Sequence, residues 1–152
     1  MRASTFAVVA ASFAVLAAPL AAKPPVPAPV IAANAPNLVP IASRMAKGTI
    51  SVRNTGTVAA GPFKVTVACS ANCAEPTPGD SAPYEDPAFP NKLTVSVPGL
   101  SPGHVYNHKI AFWHSLIWRS GNYELTVVVD AANTVAETNE ADNTGGTVFG
   151  VP

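Results

Sequence analysis

Alternation of apolar and polar residues with a period of two constrains this chain more than any other feature. "FKVTV" places Phe63, Val65 and Val67 on one side and Lys64 and Thr66 on the other. "LTVSV" does the same with Leu93, Val95 and Val97, and "YELTVVV" with Tyr123, Leu125, Val127 and Val129. Successive side chains of a strand point to opposite faces, so this pattern predicts sheets with one buried and one solvated face. Four weaker segments join them. "NLVPIAS" reads as an edge strand because Pro40 lacks the amide a central strand needs. "GTISVRN" puts Ile50 and Val52 on one face and ends at Asn54-Thr55-Gly56, "HVYNHKIAFW" alternates less cleanly, and "GTVFGV" closes the chain. Seven short strands punctuated by turns, with no helical period after the first residues, predict an all-β, seven-stranded antiparallel immunoglobulin-like sandwich. Tyr123, at the start of the sixth strand, is expected to bury its ring and bond backbone with its hydroxyl.

The chain has 152 residues, enough for one domain and hardly two. Only 12% are charged and the formal net charge is zero, which leaves no electrostatic footprint for nucleic acid or an anionic membrane surface. The first 22 residues have one cation, Arg2, an apolar run from Phe6 to Ala18, and small residues closing it. They read as a secretory signal peptide cleaved after Ala22, leaving no membrane span and a periplasmic or secreted protein. Lys23 to Pro36 is a Pro/Ala tract expected to be an extended spacer, and the sandwich domain is expected over 37–152.

Export changes the reading of the two cysteines. Cys69 and Cys73 lie four residues apart, roughly 13 Å along an extended strand. A disulfide tolerates about 7 Å between Cα atoms, so pairing requires a bend at Ser-Ala-Asn. Such a staple would contribute about 2 kcal/mol on the chain-entropy estimate. The rival is a redox pair, but the spacing is not that of thioredoxin-like motifs and no βαβ pattern surrounds it. Directly after it, Ala74 to Asn91 is an eighteen-residue loop with five prolines and four acids, long enough to be either functional or a surface excursion.

Three segments carry a family resemblance: "ISVRNTGTVAAGPFKVTV", "VPGLSPGHVY" and "GNYELTVVVDAANTVAETNEADNT". Together they resemble the CARDB domain, the cell-adhesion-related domain found in bacteria. Asp130, Asn133, Val135, Glu137, Asn139, Glu140 and Asn143 match its closing element, with Asp142 at a variable position. The resemblance covers approximately Pro36 to Val151. It implies an extracytoplasmic immunoglobulin-like module serving adhesion or binding, and it implies no catalytic residues. The cysteine pair, the acidic loop and "AFWHSLIWRSG" depart from the family pattern.

The chemical candidates are few. From Asp130 the spacing fails as an EF-hand loop. A different calcium site built from Asp130, Glu137, Asn139, Glu140 and Asp142 stays open, since their oxygens suit a hard cation. The other reading is turn construction, with Asn and Asp bonding their own backbone, Val135 plugging the core, and Glu137 and Glu140 meeting donors where strands end. His104 and His108 would lie roughly 13 Å apart on one strand, too far for one zinc. Ser81 sits in no nucleophile elbow, and nothing opposes the adjacent Glu85 and Asp86 across a cleft. Tyr84, Trp113, Trp118 and Arg119 could anchor a partner, or the aromatics could instead be core. The expectation is therefore a non-catalytic binding or adhesion module without a cofactor, engaging a protein or cell-surface glycan. The alternatives are a calcium-dependent module and a thiol enzyme using Cys69 and Cys73.

Overall fold

The computed structural model describes residues 34–71, 79–116 and 119–152. The expected signal peptide, most of the spacer, Cys73 and Trp118 lie outside these residues.

Seven antiparallel strands form two sheets, as the alternation predicts. They are β1 (Leu38–Pro40), β2 (Thr49–Asn54), β3 (Phe63–Ala71), β4 (Leu93–Val97), β5 (Val105–Lys109), β6 (Gly121–Val128) and β7 (Thr144–Val151). One sheet has the order β1-β2-β5 and the other β4-β3-β6-β7. This is an immunoglobulin-like sandwich. The inward residues are the predicted ones: Ile50, Val52, Phe63, Val65, Val67, Val95, Val97, Leu125, Val127 and Val129 are all buried. The Tyr123 ring is buried and its hydroxyl donates to the Arg119 carbonyl at 2.6 Å, forming a tyrosine corner.

Each sheet has two edges, and the open sides between sheets need closing. β1 is indeed an edge strand, and after it the chain forms a short 3-10 helix, Ala42–Lys47, that drops Met45 into the core. Gly48 ends this helix at φ 69°, in the left-handed region, and its amide bonds the Arg44 and Met45 carbonyls. A Cβ there would lie 2.1 Å from Trp113 Cγ, so the position requires glycine for both conformation and space.

The other side, between β4 and β5, is closed by the acidic loop. A 3-10 turn, Ala82–Tyr84, presents Tyr84 to the core, edge-on to Phe112 and to His108. Its hydroxyl accepts the Ala111 amide at 3.1 Å. Asp86 and Lys64 form an ion pair, which holds the Asp86 carboxyl below the usual range, and Lys64 also lies over the Phe89 ring. Thr66 departs from expectation. It points away from the core, as read, but is buried all the same, as is Thr94 opposite it.

Truncating Tyr84 should therefore act as a core deletion. Tyr84→Ala should cost about 3–5 kcal/mol in urea unfolding, and Tyr84→Phe, which loses only the hydroxyl bond, about 1 kcal/mol. Equal small losses from both would show that the ring does not close this side.

Candidate functional site

The polar stretch between β6 and β7 gathers five of the candidate residues. Asp130 and Asn133 have φ of 44° and 51°, a conformation that Asp and Asn tolerate better than most side chains. Asp130 Oδ1 accepts the Thr134 amide at 3.0 Å and its hydroxyl at 2.9 Å, and Oδ2 accepts the Val135 amide at 2.8 Å. Those bonds seat Val135 against the core. Asn139 Oδ1 accepts the Ala141 amide, starting the 3-10 turn Glu140–Asp142. Glu140 accepts the Glu137 amide through Oε1 and the Asn143 side chain through Oε2.

Glu137 reaches across the sandwich. One carboxylate oxygen accepts the backbone amide of Leu38, the first residue of β1, and the other accepts Asn143 Nδ2 at 3.1 Å. Around this contact lies an asparagine network. Asn37 donates to Asp142 Oδ2 and Thr55 Oγ1, and accepts the Thr138 hydroxyl. Asn54 is fully buried, yet each side of its amide is used. Its Oδ1 accepts the Asn37 and Gly56 amides, and its Nδ2 donates to the Val58 and Leu100 carbonyls. Burial pushes the Glu137 carboxyl from an ordinary 4.5 up to about 7. The Leu38 and Asn143 bonds pull the other way, and the charges of Glu140 and Asp130 add to the rise.

Could these residues hold a cation? Both carboxylate oxygens of Asp130, Glu137 and Glu140 already accept protein donors, as does Asn139 Oδ1. Asp142 Oδ1 is buried without a partner, a single such oxygen among the five side chains. No group of three or more His, Cys, Asp or Glu side chains positioned for a metal occurs among the described residues. The hydrogen bonds that build the corner occupy most of these oxygens, and beside Asp142 Oδ1 the neighbouring Asn143 Oδ1 is also buried without a protein partner.

The remaining candidates are scattered. Tyr84 and Trp113 are buried, so neither presents an open ring face; Trp113 lies beneath Gly48 and tilts against Phe149. Arg119 is exposed, while Trp118 lies outside the described residues. Cys69 sits in β3 at the bulge before Ala71, and its expected partner, Cys73, is also outside them. Ser81 donates to Glu85 at 2.9 Å, and Asp86 is committed to Lys64. His108 points inward against Tyr84, whereas His104 and His114 are exposed. Sequence reasoning missed a cluster of exposed cations on the outward face of the three-stranded sheet, Arg44, Lys47, Arg53 and Lys109. Its signal was available, because no acid occurs between Lys23 and Ala74 or between Pro87 and Tyr123.

A sequence model of the CARDB family matches residues 31–146. None of the curated proteins matches the chain. Among solved structures, a domain of a candidate cell surface protein from Methanosarcina acetivorans is 23% identical, covers 68% of this chain and 74% of its own, and has a TM-score of 0.46. The CARDB domain of a Pyrococcus furiosus protein, solved in complex with di-metal ions, is 19% identical. The alignment covers 78% of this chain and 90% of that one, with a TM-score of 0.44.

The raised Glu137 carboxyl gives stability a pH signature. The folded state holds that proton more tightly than the unfolded chain, so the Glu137 contribution to stability is full below the ordinary carboxyl range and is lost as pH rises to about 7. The free energy of unfolding at about pH 5 should exceed that at pH 8 by roughly 2 kcal/mol, and Glu137→Gln should flatten the difference. A wild-type profile that rises or stays level across this window would contradict the assignment.

Proposed function

Because this chain belongs to the CARDB family, we propose that it is an exported, non-catalytic binding or adhesion module that engages a protein or cell-surface partner. One observation carries the reading. The long polar element between β6 and β7, which could have been a reaction centre, spends its side chains on building its own corner and tying it to β1. What is left for function is surface, and a sandwich offers rigid surfaces for recognition.

The leader read over residues 1–22 would deliver the module to the periplasm or beyond. There a Cys69–Cys73 staple would be stable, pinning the start of the acidic loop. No helix among the described residues is long and apolar enough to cross a membrane.

The purified chain should sediment with isolated envelopes of its own host in a saturable way, and unlabelled chain should compete. Unsaturable or absent binding would overturn the reading. In the alternative reading, calcium held by Asp130, Glu137, Asn139, Glu140 and Asp142 controls binding. Melting in millimolar calcium and in EDTA separates the two, since a site filled at one hundred times its dissociation constant adds about 2.7 kcal/mol. The bonding of those oxygens predicts coincident melts; a rise of roughly 10 °C would favour calcium.

A further inference from the structure

The charges of this chain are segregated. Its acids fall in two blocks, Glu75 to Asp86 and Glu124 to Asp142. The fold places the second block on β6 and at the β6–β7 corner, and the described part of the first beside Tyr84. Among the described acids none forms an ion pair with a cation of the β1-β2-β5 sheet.

That face is built by register. Ile50 and Val52 point into the core, so Thr49, Ser51 and Arg53 point out. Their partners across the ladder are Lys109, Asn107 and Val105. Arg44 comes over the same face from the 3-10 helix, donating to Asn107 Oδ1 at 2.6 Å, and Ser51 donates to that oxygen at 2.7 Å. At one end Lys47, Thr49, Lys109 and His114, with Ala46 and Trp113, line an open cleft of about 590 Å³. The cations thus stand in a row, Lys47 and Lys109 at the cleft, Arg44 in the middle and Arg53 at the far end, over roughly 13 Å at about 3.3 Å per residue. Among the described residues none of the four is ion-paired with an acid. Between them lie the half-buried Thr49 and the exposed Asn107, while Ser51 is buried beneath with its hydroxyl spent on Asn107.

We infer that this face is the binding surface of the module and that its partner is an acidic polysaccharide, with uronate carboxylates on the cation row and sugar hydroxyls on the polar side chains between. The inference rests on the binding-module reading above. Charge complementarity selects the class. A nucleic acid would call for a long-range positive field, which a chain of zero net charge lacks. A short row of cations with hydrogen-bonding groups between them instead suits a polymer whose carboxylates are separated by hydroxyl-rich rings. Cations and anions meeting at an exposed face give modest affinity that salt weakens.

The test is titration of the full chain with polygalacturonate, with dextran as the neutral control. Binding should occur with polygalacturonate and not with dextran, and should weaken severalfold as salt rises from about 50 to 300 mM. Lys47→Glu combined with Lys109→Glu should lower affinity roughly tenfold or more at an unchanged melting midpoint, and Lys47→Arg with Lys109→Arg should retain it. Three results would overturn the proposal: no binding of polygalacturonate, equal binding by the charge-reversed variant, or tighter binding of duplex DNA or anionic vesicles. If the charge-reversed variant still sediments with envelopes like the wild type, the module reading stands and this surface falls. If the wild type does not sediment either, the module reading itself fails.

Discussion

A buried carboxylate on the amide of Leu38 holds the first strand of one sheet to the last connection of the other. Glu137 is 99 residues from Leu38 in the chain, so the contact closes almost the whole domain. An edge strand of three residues has little ladder of its own, and its leading amide would otherwise end without a partner. Supplying that partner from an acid has a cost, because burial disfavours the charged form and pushes the carboxyl up to about 7. Asn143, donating its side-chain amide to Glu137, offsets part of that cost, and Asn37 and Asn54 extend the network around it.

From this lock the division of labour follows. The β6–β7 corner is rich in oxygen, yet its geometry sends those oxygens to backbone amides in its own turns and to β1. The acidic loop contributes Tyr84 to one open side of the sandwich, and the 3-10 helix after β1 contributes Met45. With both sides closed and the corner committed, the outward face of the three-stranded sheet stands apart by its charge. Under the proposed reading, recognition would lie on that sheet face while the polar corner serves stability.

How much of this was legible beforehand depends on whether the information was local. Period-two alternation located β2, β3, β4 and β6 with their buried faces, placed the other three strands more weakly, and Pro40 marked an edge strand, because these signals act within a few residues. The Asp130 turn was legible for the same reason. Tyr84 was legible only as an open choice between partner anchor and core, since nothing local shows that β4 and β5 leave a gap for it. Thr66 looks solvated by alternation but is buried, because alternation sets which way a side chain points and not what covers it. The cation row escaped notice because Thr49 and Lys109 are neighbours only through strand register, and because zero net charge conceals segregation.

The claim on which the rest depends is that Glu137 is a structural bridge to Leu38 and not a ligand for a cation. Its most direct test is an NMR titration that follows the Glu137 carboxyl carbon and the Leu38 amide together. A shared midpoint near 7, unchanged by added calcium, is the predicted result. A carboxyl titrating near 4.5 with no response at Leu38, or a midpoint that drops when calcium is added, would contradict it.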